Sequence, residues 1–178
     1  MSRIEMVNPE QTSGEKQEIL AQIQKTFGVT PNMFKTIANS TAALKMMWSG
    51  FGALGAGKLG SQLGEQIAVA VAESNRCEYC LAAHMALGKM AGLSAETMTN
   101  AQAGKSGDPK IQAALTFALK LVNERAHVSD ADVQALRNVG FGNDEIAEIL
   151  AHVALNIFTN YTNVAFNVPV DFPKVSLR

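Results

Sequence analysis

Two alanine-rich apolar stretches flank a three-residue polar break, and this arrangement limits the fold more than any other feature of the chain. Leu63 to Glu73 holds Ile67, Val69 and Val71 among alanines with no helix breaker, and Ser61 stands where an N-cap would. Ser74-Asn75-Arg76 interrupts the pattern, which resumes at Cys77 and runs to Met90, with Gly92 as a C-terminal stop. The spacing predicts a helical hairpin. The alternation of Ile67, Val69 and Val71 also suits a short buried strand, although the interleaved alanines are strong helix formers.

The two readings place the polar residues differently. On a helix, Cys77, Cys80 and His84 fall within about 60° of one another and share a face. Counting ~1.5 Å per residue from the turn, an antiparallel partner helix sets His84 level with a residue near position 66, next to Glu65. A strand would carry Glu65 about 33 Å from the turn, against about 13 Å for His84, and the match would vanish. The helical hairpin thus assembles a carboxylate, an imidazole and two thiols.

A C-x-x-C pair serves metal binding and dithiol chemistry alike. The thiolate is the attacking form of a thiol whose ordinary pKa is ~8.5, and a helix N-terminus and an imidazole both favour it. Cys80 lies four residues before His84, its natural base, while Cys77 is the thiol in reach to close a disulfide afterwards. Glu65 would orient His84 and replenish its proton. Its plainer reading is a carboxylate near a helix N-terminus, complementing the dipole. A closed zinc site needs four ligands and would have to recruit His152 to Cys77, Cys80 and His84.

Glu65, twelve positions before Cys77-Glu78-Tyr79-Cys80-Leu81-Ala82-Ala83-His84, resembles the signature of the alkylhydroperoxidase AhpD-like group within the carboxymuconolactone decarboxylase family. Val29-Thr30-Pro31-Asn32-Met33-Phe34, Phe158-Thr159-Asn160-Tyr161-Thr162-Asn163 and Val170-Asp171-Phe172-Pro173 resemble the same group, so the likeness spans most of the chain. The resemblance implies an all-α, AhpD-like fold over residues 1–178 and a thiol peroxidase without a cofactor. It assigns Cys80 as the cysteine oxidised to sulfenic acid, Cys77 as its partner thiol, and Glu65 with His84 as the proton relay. It further implies a hydroperoxide substrate, an external lipoyl-type or thioredoxin-like dithiol as reductant, and a homo-oligomer, trimer or hexamer. Where some members carry a histidine immediately before the second cysteine, this chain has Tyr79. A lactone-acid decarboxylase of the same family and a redox-sensing dithiol protein are the alternatives; the paired cysteines count against the decarboxylase.

Composition narrows the partners. Fifteen basic and 16 acidic residues leave a net charge of -1, with no basic footprint for nucleic acid or an anionic membrane. Nothing reads as a membrane span or signal peptide, and two cysteines in one C-x-x-C are no secreted disulfide framework, so a cytoplasmic protein is expected.

The remaining segments read as helices and connectors. Residues 1 to 12 suggest an extended or frayed arm; Glu15 to Phe27 forms a helix ended by Gly28; Thr30 caps a short helix with Pro31 at its first position, running through Ala38. Ser40 or Thr41 opens a helix whose Met46, Met47, Trp48 and Phe51 read as core or interface. Gly50 to Lys58 imitates both a dinucleotide fingerprint and a P-loop, but no strand precedes it, and a flexible connector bordering the active-site mouth is expected. Helices follow from Ser94 to about Ala103, Lys110 to Ala126, Asp130 to Asn138 and Asp144 to about Ala165, and Pro169 and Pro173 impose an extended tail. His127 reads as a surface residue near a helix end, His152 as a core or interface histidine, and Glu78 as solvated. Asn160, Tyr161 and Asn163 suit either a pocket or inter-helix bonding.

Overall fold

A computed structural model describes residues 2–178, and among them every regular element is helical. A 3-10 turn at Pro9–Gln11 precedes α1 (Gly14–Phe27), α2 (Asn32–Ile37), α3 (Thr41–Gly55), α4 (Gly60–Ser74) and α5 (Glu78–Met90). They are followed by α6 (Ala95–Gln102), α7 (Pro109–Asn123), α8 (Asp130–Asn138) and α9 (Asn143–Phe166). The strand alternative for Ile67 to Val71 is excluded. No helix among the described residues is long and apolar enough to cross a membrane.

α4 is the axis of the fold. Its residues Ile67 to Ala72 are all buried, and six consecutive positions cover every side of a helix, so α4 must be surrounded. α5, α6, α7 and α9 do this, and small alanines on α4 let the partners approach closely. The Ser74-Asn75-Arg76 break ends α4, with Arg76 in the left-handed region at φ 56°, and Cys77 opens α5. α1, α2 and α3 form a second layer that reaches α9 through α2 and α3.

Several boundaries differ from the sequence reading, and at the starts of α2 and α4 a carboxylate far along the chain accepts the backbone N–H groups. Pro31, not Thr30, is the N-cap of α2; the Thr30 hydroxyl donates to Gln24 Oε1 at 2.9 Å, and the Asp171 carboxylate accepts the Asn32 N–H at 2.8 Å. Ser61 lies inside α4 rather than capping it. The Glu148 carboxylate of α9 accepts the Lys58 and Leu59 N–H groups at 2.7 and 3.1 Å. This approach needs Gly57, where a Cβ would stand 2.7 Å from Glu148 Oε2. Gly50 to Gly55 continues α3, so only residues 56 to 59 form a connector there.

The arm is tied down: Arg3 N–H donates to Phe166 O at 2.7 Å and Val7 N–H to Lys35 O at 3.0 Å. Met1 of the expected arm lies outside the described residues. The tail after α9 is extended, as expected, and folds back over the hairpin turn. Gln102 donates to Ser176 O at 3.0 Å, Arg178 N–H to Glu73 Oε1 at 3.0 Å, and Arg76 to Arg178 O at 2.6 Å.

Ile67 is 0% exposed at the centre of this packing. Ile67→Ala should lower the unfolding free energy by ~2–5 kcal/mol in urea titrations, because α4 is gripped on all sides and cannot relax into the space left.

Candidate active site

Cys77 is the N-cap of α5, in an extended conformation, and its Sγ accepts the Cys80 N–H at 3.2 Å. The two cysteines form a disulfide with Cα atoms 5.3 Å apart, within the ordinary range for such a bond. Their exposure differs little, 1% for Cys77 and 3% for Cys80, but Cys80 lines a cavity and Cys77 does not. Asn163 of α9 donates through Nδ2 to Cys80 Sγ at 3.2 Å. Each sulfur thus receives an N–H, and such donors favour the thiolate once the disulfide is reduced.

The hairpin brings the expected ion-pairing groups together. His84 Nδ1 lies 2.8 Å from Glu65 Oε2, a bond that joins the middle of α5 to the first half of α4. An ionised carboxylate only accepts, so the proton sits on Nδ1 and the Nε2 lone pair is left free. Glu65 is half-buried, bonded through Oε2 to His84 and placed beyond the first turn of α4, unlike the exposed helix-end carboxylate of its plainer reading.

Cys80, His84 and Glu65 line one cavity of 370 Å³. Its walls are apolar and aromatic: Phe27, Phe34, Trp48 and Phe51 come from α1 to α3, and Phe172 from the tail. The rings brace one another, with Phe34 5.8 Å from Trp48 and 5.9 Å from Phe51, both edge-on. The Met and aromatic stripe of α3 therefore divides. Met47 is core, Met46 is exposed, and Trp48 and Phe51 belong to the cavity wall.

Tyr79, at the position before the second cysteine, is 4% exposed. Its hydroxyl accepts the Met33 N–H at 3.2 Å, its ring meets Phe172 edge-on at 5.6 Å, and burial with the neighbouring Asp171 carboxylate holds its pKa far above the ordinary tyrosine value. It anchors the tail and α2 to the hairpin. His152 lies in neither thiol's neighbourhood; it lines a separate cavity with Glu65 and His84, so the four-ligand zinc arrangement is not formed. No group of three or more His, Cys, Asp or Glu among the described residues is arranged to hold a metal.

His127 is exposed and bonds the Glu124 carbonyl, and Glu78 is exposed, as expected. The α9 residues part company. Asn160 accepts from Asn75 at 2.9 Å, Tyr161 is exposed, and Asn163 reaches the sulfur. The sequence left Asn163 open between a pocket and inter-helix bonding, and it did not single out Phe172 as a site residue. The available signal was an asparagine on an apolar helix, which must find a buried partner.

Residues 41–120, which hold Glu65, both cysteines and His84, match the model of the carboxymuconolactone decarboxylase family. The chain has an AhpD-like fold built on a segment of that family. A peroxidase-related protein of Ralstonia eutropha JMP134, described as an alkylhydroperoxidase AhpD core, superposes with a TM-score of 0.85 at 24% identity, over 96% of this chain and 92% of its own. A peroxidase-related protein of Silicibacter sp. TM1040 gives 0.84 at 24%, over 94% and 91%. The debrominase Bmp8, as a cysteine-to-alanine variant in complex with 2,3,4-tribromopyrrole, gives 0.80 at 20%, over 96% and 94%. No curated protein matches the sequence.

Asn163→Leu removes the donor to Cys80 Sγ. The reduced protein should then react with iodoacetamide at neutral pH roughly three- to tenfold more slowly at Cys80, read by mass spectrometry of timed quenches, because the thiolate loses a hydrogen bond.

Proposed function

We propose that the protein is a thiol-dependent peroxidase that reduces hydroperoxides with the Cys77–Cys80 dithiol. The observation that carries this reading is the 2.8 Å Glu65–His84 bond, whose two members line the same cavity as Cys80. Cys80 passes its thiol proton to the free Nε2 of His84, the thiolate attacks the terminal oxygen of the hydroperoxide, the S–O bond forms as the O–O bond breaks, and His84 returns that proton to the departing alkoxide. Cys77 then displaces water from the sulfenic acid to give the disulfide. The sum is one hydroperoxide and two thiols converted to one alcohol, one water and one disulfide. An external dithiol, lipoyl-type or thioredoxin-like, returns the pair to the reduced state by exchange.

A second reading is favoured by the apolar, ring-lined cavity together with the debrominase among the structural neighbours. A dithiol can also reduce a haloaromatic ring, giving the dehalogenated ring, hydrogen halide and the same disulfide. Bromide release against hydroperoxide loss, measured with the same reduced protein, separates the two.

The expected homo-oligomer, trimer or hexamer, has a candidate face on α9. Leu150, Tyr161 and Val164 are 49%, 60% and 47% exposed and fall within about 60° of one another around the helix. Light scattering should return a multiple of the chain mass, and Tyr161→Glu should lower it; a monomer for the unaltered protein removes the proposal.

Stopped-flow consumption of an alkyl hydroperoxide with a dithiol donor tests the main reading. Cys80→Ser should abolish turnover, Cys77→Ser should still form a dimedone-reactive sulfenic acid at Cys80, and Glu65→Gln should slow turnover by at least about tenfold without altering the fold. Wild-type protein inert to hydroperoxides, or dimedone labelling at Cys77 alone, overturns it.

A further inference from the structure

Two of the residues that line the cavity beside Cys80 are exposed, Thr26 near the end of α1 and Gly52 on α3, and they mark its mouth. Gly52 stands four residues after Trp48 on one helix, so a side chain at 52 would share the face that carries the Trp48 ring into the wall. A Cβ there would meet no atom within 4 Å. Nothing in the packing therefore demands a glycine, and neither does the backbone, which is ordinary helix at this position. A glycine inside a helix costs stability relative to any other residue except proline. What the missing side chain leaves is open space at the entrance.

We propose that Gly52 holds the mouth open for an uncharged hydroperoxide borne on a compact apolar group such as an aromatic ring, and that the absence of a side chain there sets the size of substrate admitted. This rests on the peroxidase reading and names its substrate class. The cavity, at 370 Å³, lies toward the lower end of the ~300–1,000 Å³ usual for small-molecule sites. Hydrogen peroxide would occupy only a small part of it and leave the rings of Phe27, Phe34, Trp48, Phe51 and Phe172 unfilled. A ring-bearing substrate buries its apolar surface against those walls and gains edge-to-face contacts with them. The polar lining residues Glu65, His84, Cys80 and Asn163 are left for the peroxide group. Charge selects as well as size. Among the described residues Glu65 is the one carboxylate in the lining, and no Lys or Arg lines it. A hydroperoxide carrying its own carboxylate would bring a second negative charge into an apolar hollow with no cation to receive it.

Trp48 is the sole tryptophan of the chain and part of the wall, so its fluorescence reports occupancy without any turnover. Cumyl alcohol, the reduced form of cumene hydroperoxide, should change that fluorescence saturably, and its para-carboxylate derivative should bind at least about tenfold more weakly. Gly52→Leu should weaken cumyl alcohol by at least about tenfold, and in stopped-flow with the reduced protein it should lower the ratio of the rate constants for cumene hydroperoxide and hydrogen peroxide by a similar factor. Leucine is the better helix former, and circular dichroism checks that the variant is folded. An unsaturable signal with the unaltered protein, equal binding of the neutral and charged alcohols, or an unmoved ratio in folded Gly52→Leu overturns the proposal. The first two outcomes need no variant and decide it even where Gly52→Leu does not fold. If the unaltered protein consumes neither peroxide, the peroxidase reading fails by itself, and the titrations still decide whether the cavity takes an uncharged ring through a mouth that Gly52 keeps open.

Discussion

The close packing of α4 against α5 fixes where everything else goes. Alanines at positions 68, 70 and 72 on one helix and 82 and 83 on the other keep the pair close, and the short turn at Ser74 to Arg76 sets their register. Register decides the chemistry: an offset of one residue would turn His84 about 100° away from Glu65. Buried apolar packing is worth roughly 25 cal/mol per Å² removed from water over the whole length of both helices, whereas a single largely buried ion pair loses most of its attraction to desolvation. The helical packing therefore holds the Glu65–His84 bond in place rather than the reverse. The polar pair is free to exchange protons because the fold does not depend on it.

That division also explains how much the sequence revealed. The hairpin and its four polar residues could be placed from spacing alone, because helical rise and the length of the turn leave one register in which His84 meets Glu65. α8 could be bounded to the residue, since Ser129 and Asp132 cap it locally with a reciprocal pair of hydrogen bonds. Boundaries failed where the cap comes from elsewhere. Nothing near Lys58 announces that Glu148 will bind its N–H, and nothing near Asn32 announces Asp171. The cavity walls were seen only in part, through the expectation that Gly50 to Lys58 borders the mouth, which Phe51 and Gly52 do. Trp48 and Phe51 have the spacing of core residues, and only the packing of α1, α2 and the tail leaves a hollow beside them.

The cysteines illustrate a subtler limit. Spacing put both thiols on one face and close enough to bond, and the disulfide follows. It could not say which sulfur a substrate would meet. That asymmetry comes from α9 and from the N-cap role of Cys77, whose sulfur turns toward the backbone of its own helix while Cys80 faces the hollow and the Asn163 amide. Some 80 residues of chain separate Cys80 from Asn163, and no local pattern encodes their meeting.

Tyr79 closes the account of proton traffic. The resemblance places a histidine here in some relatives, and a second imidazole beside the sulfur would have offered another route for the proton. Here the side chain is committed to structure: its hydroxyl serves Met33 and Asp171, its ring holds Phe172, and burial keeps the phenol protonated throughout the neutral range. Among the described residues His84 is then the one imidazole lining the front cavity. Any proton reaching the sulfur's surroundings from a protein group must pass through His84 or the carboxylate behind it. The residue that stands where some relatives carry that base also fastens the tail beside the cavity, where Phe172 contributes a ring to the wall. A closed site raises the worth of each remaining polar contact, because the effective dielectric falls when water is excluded.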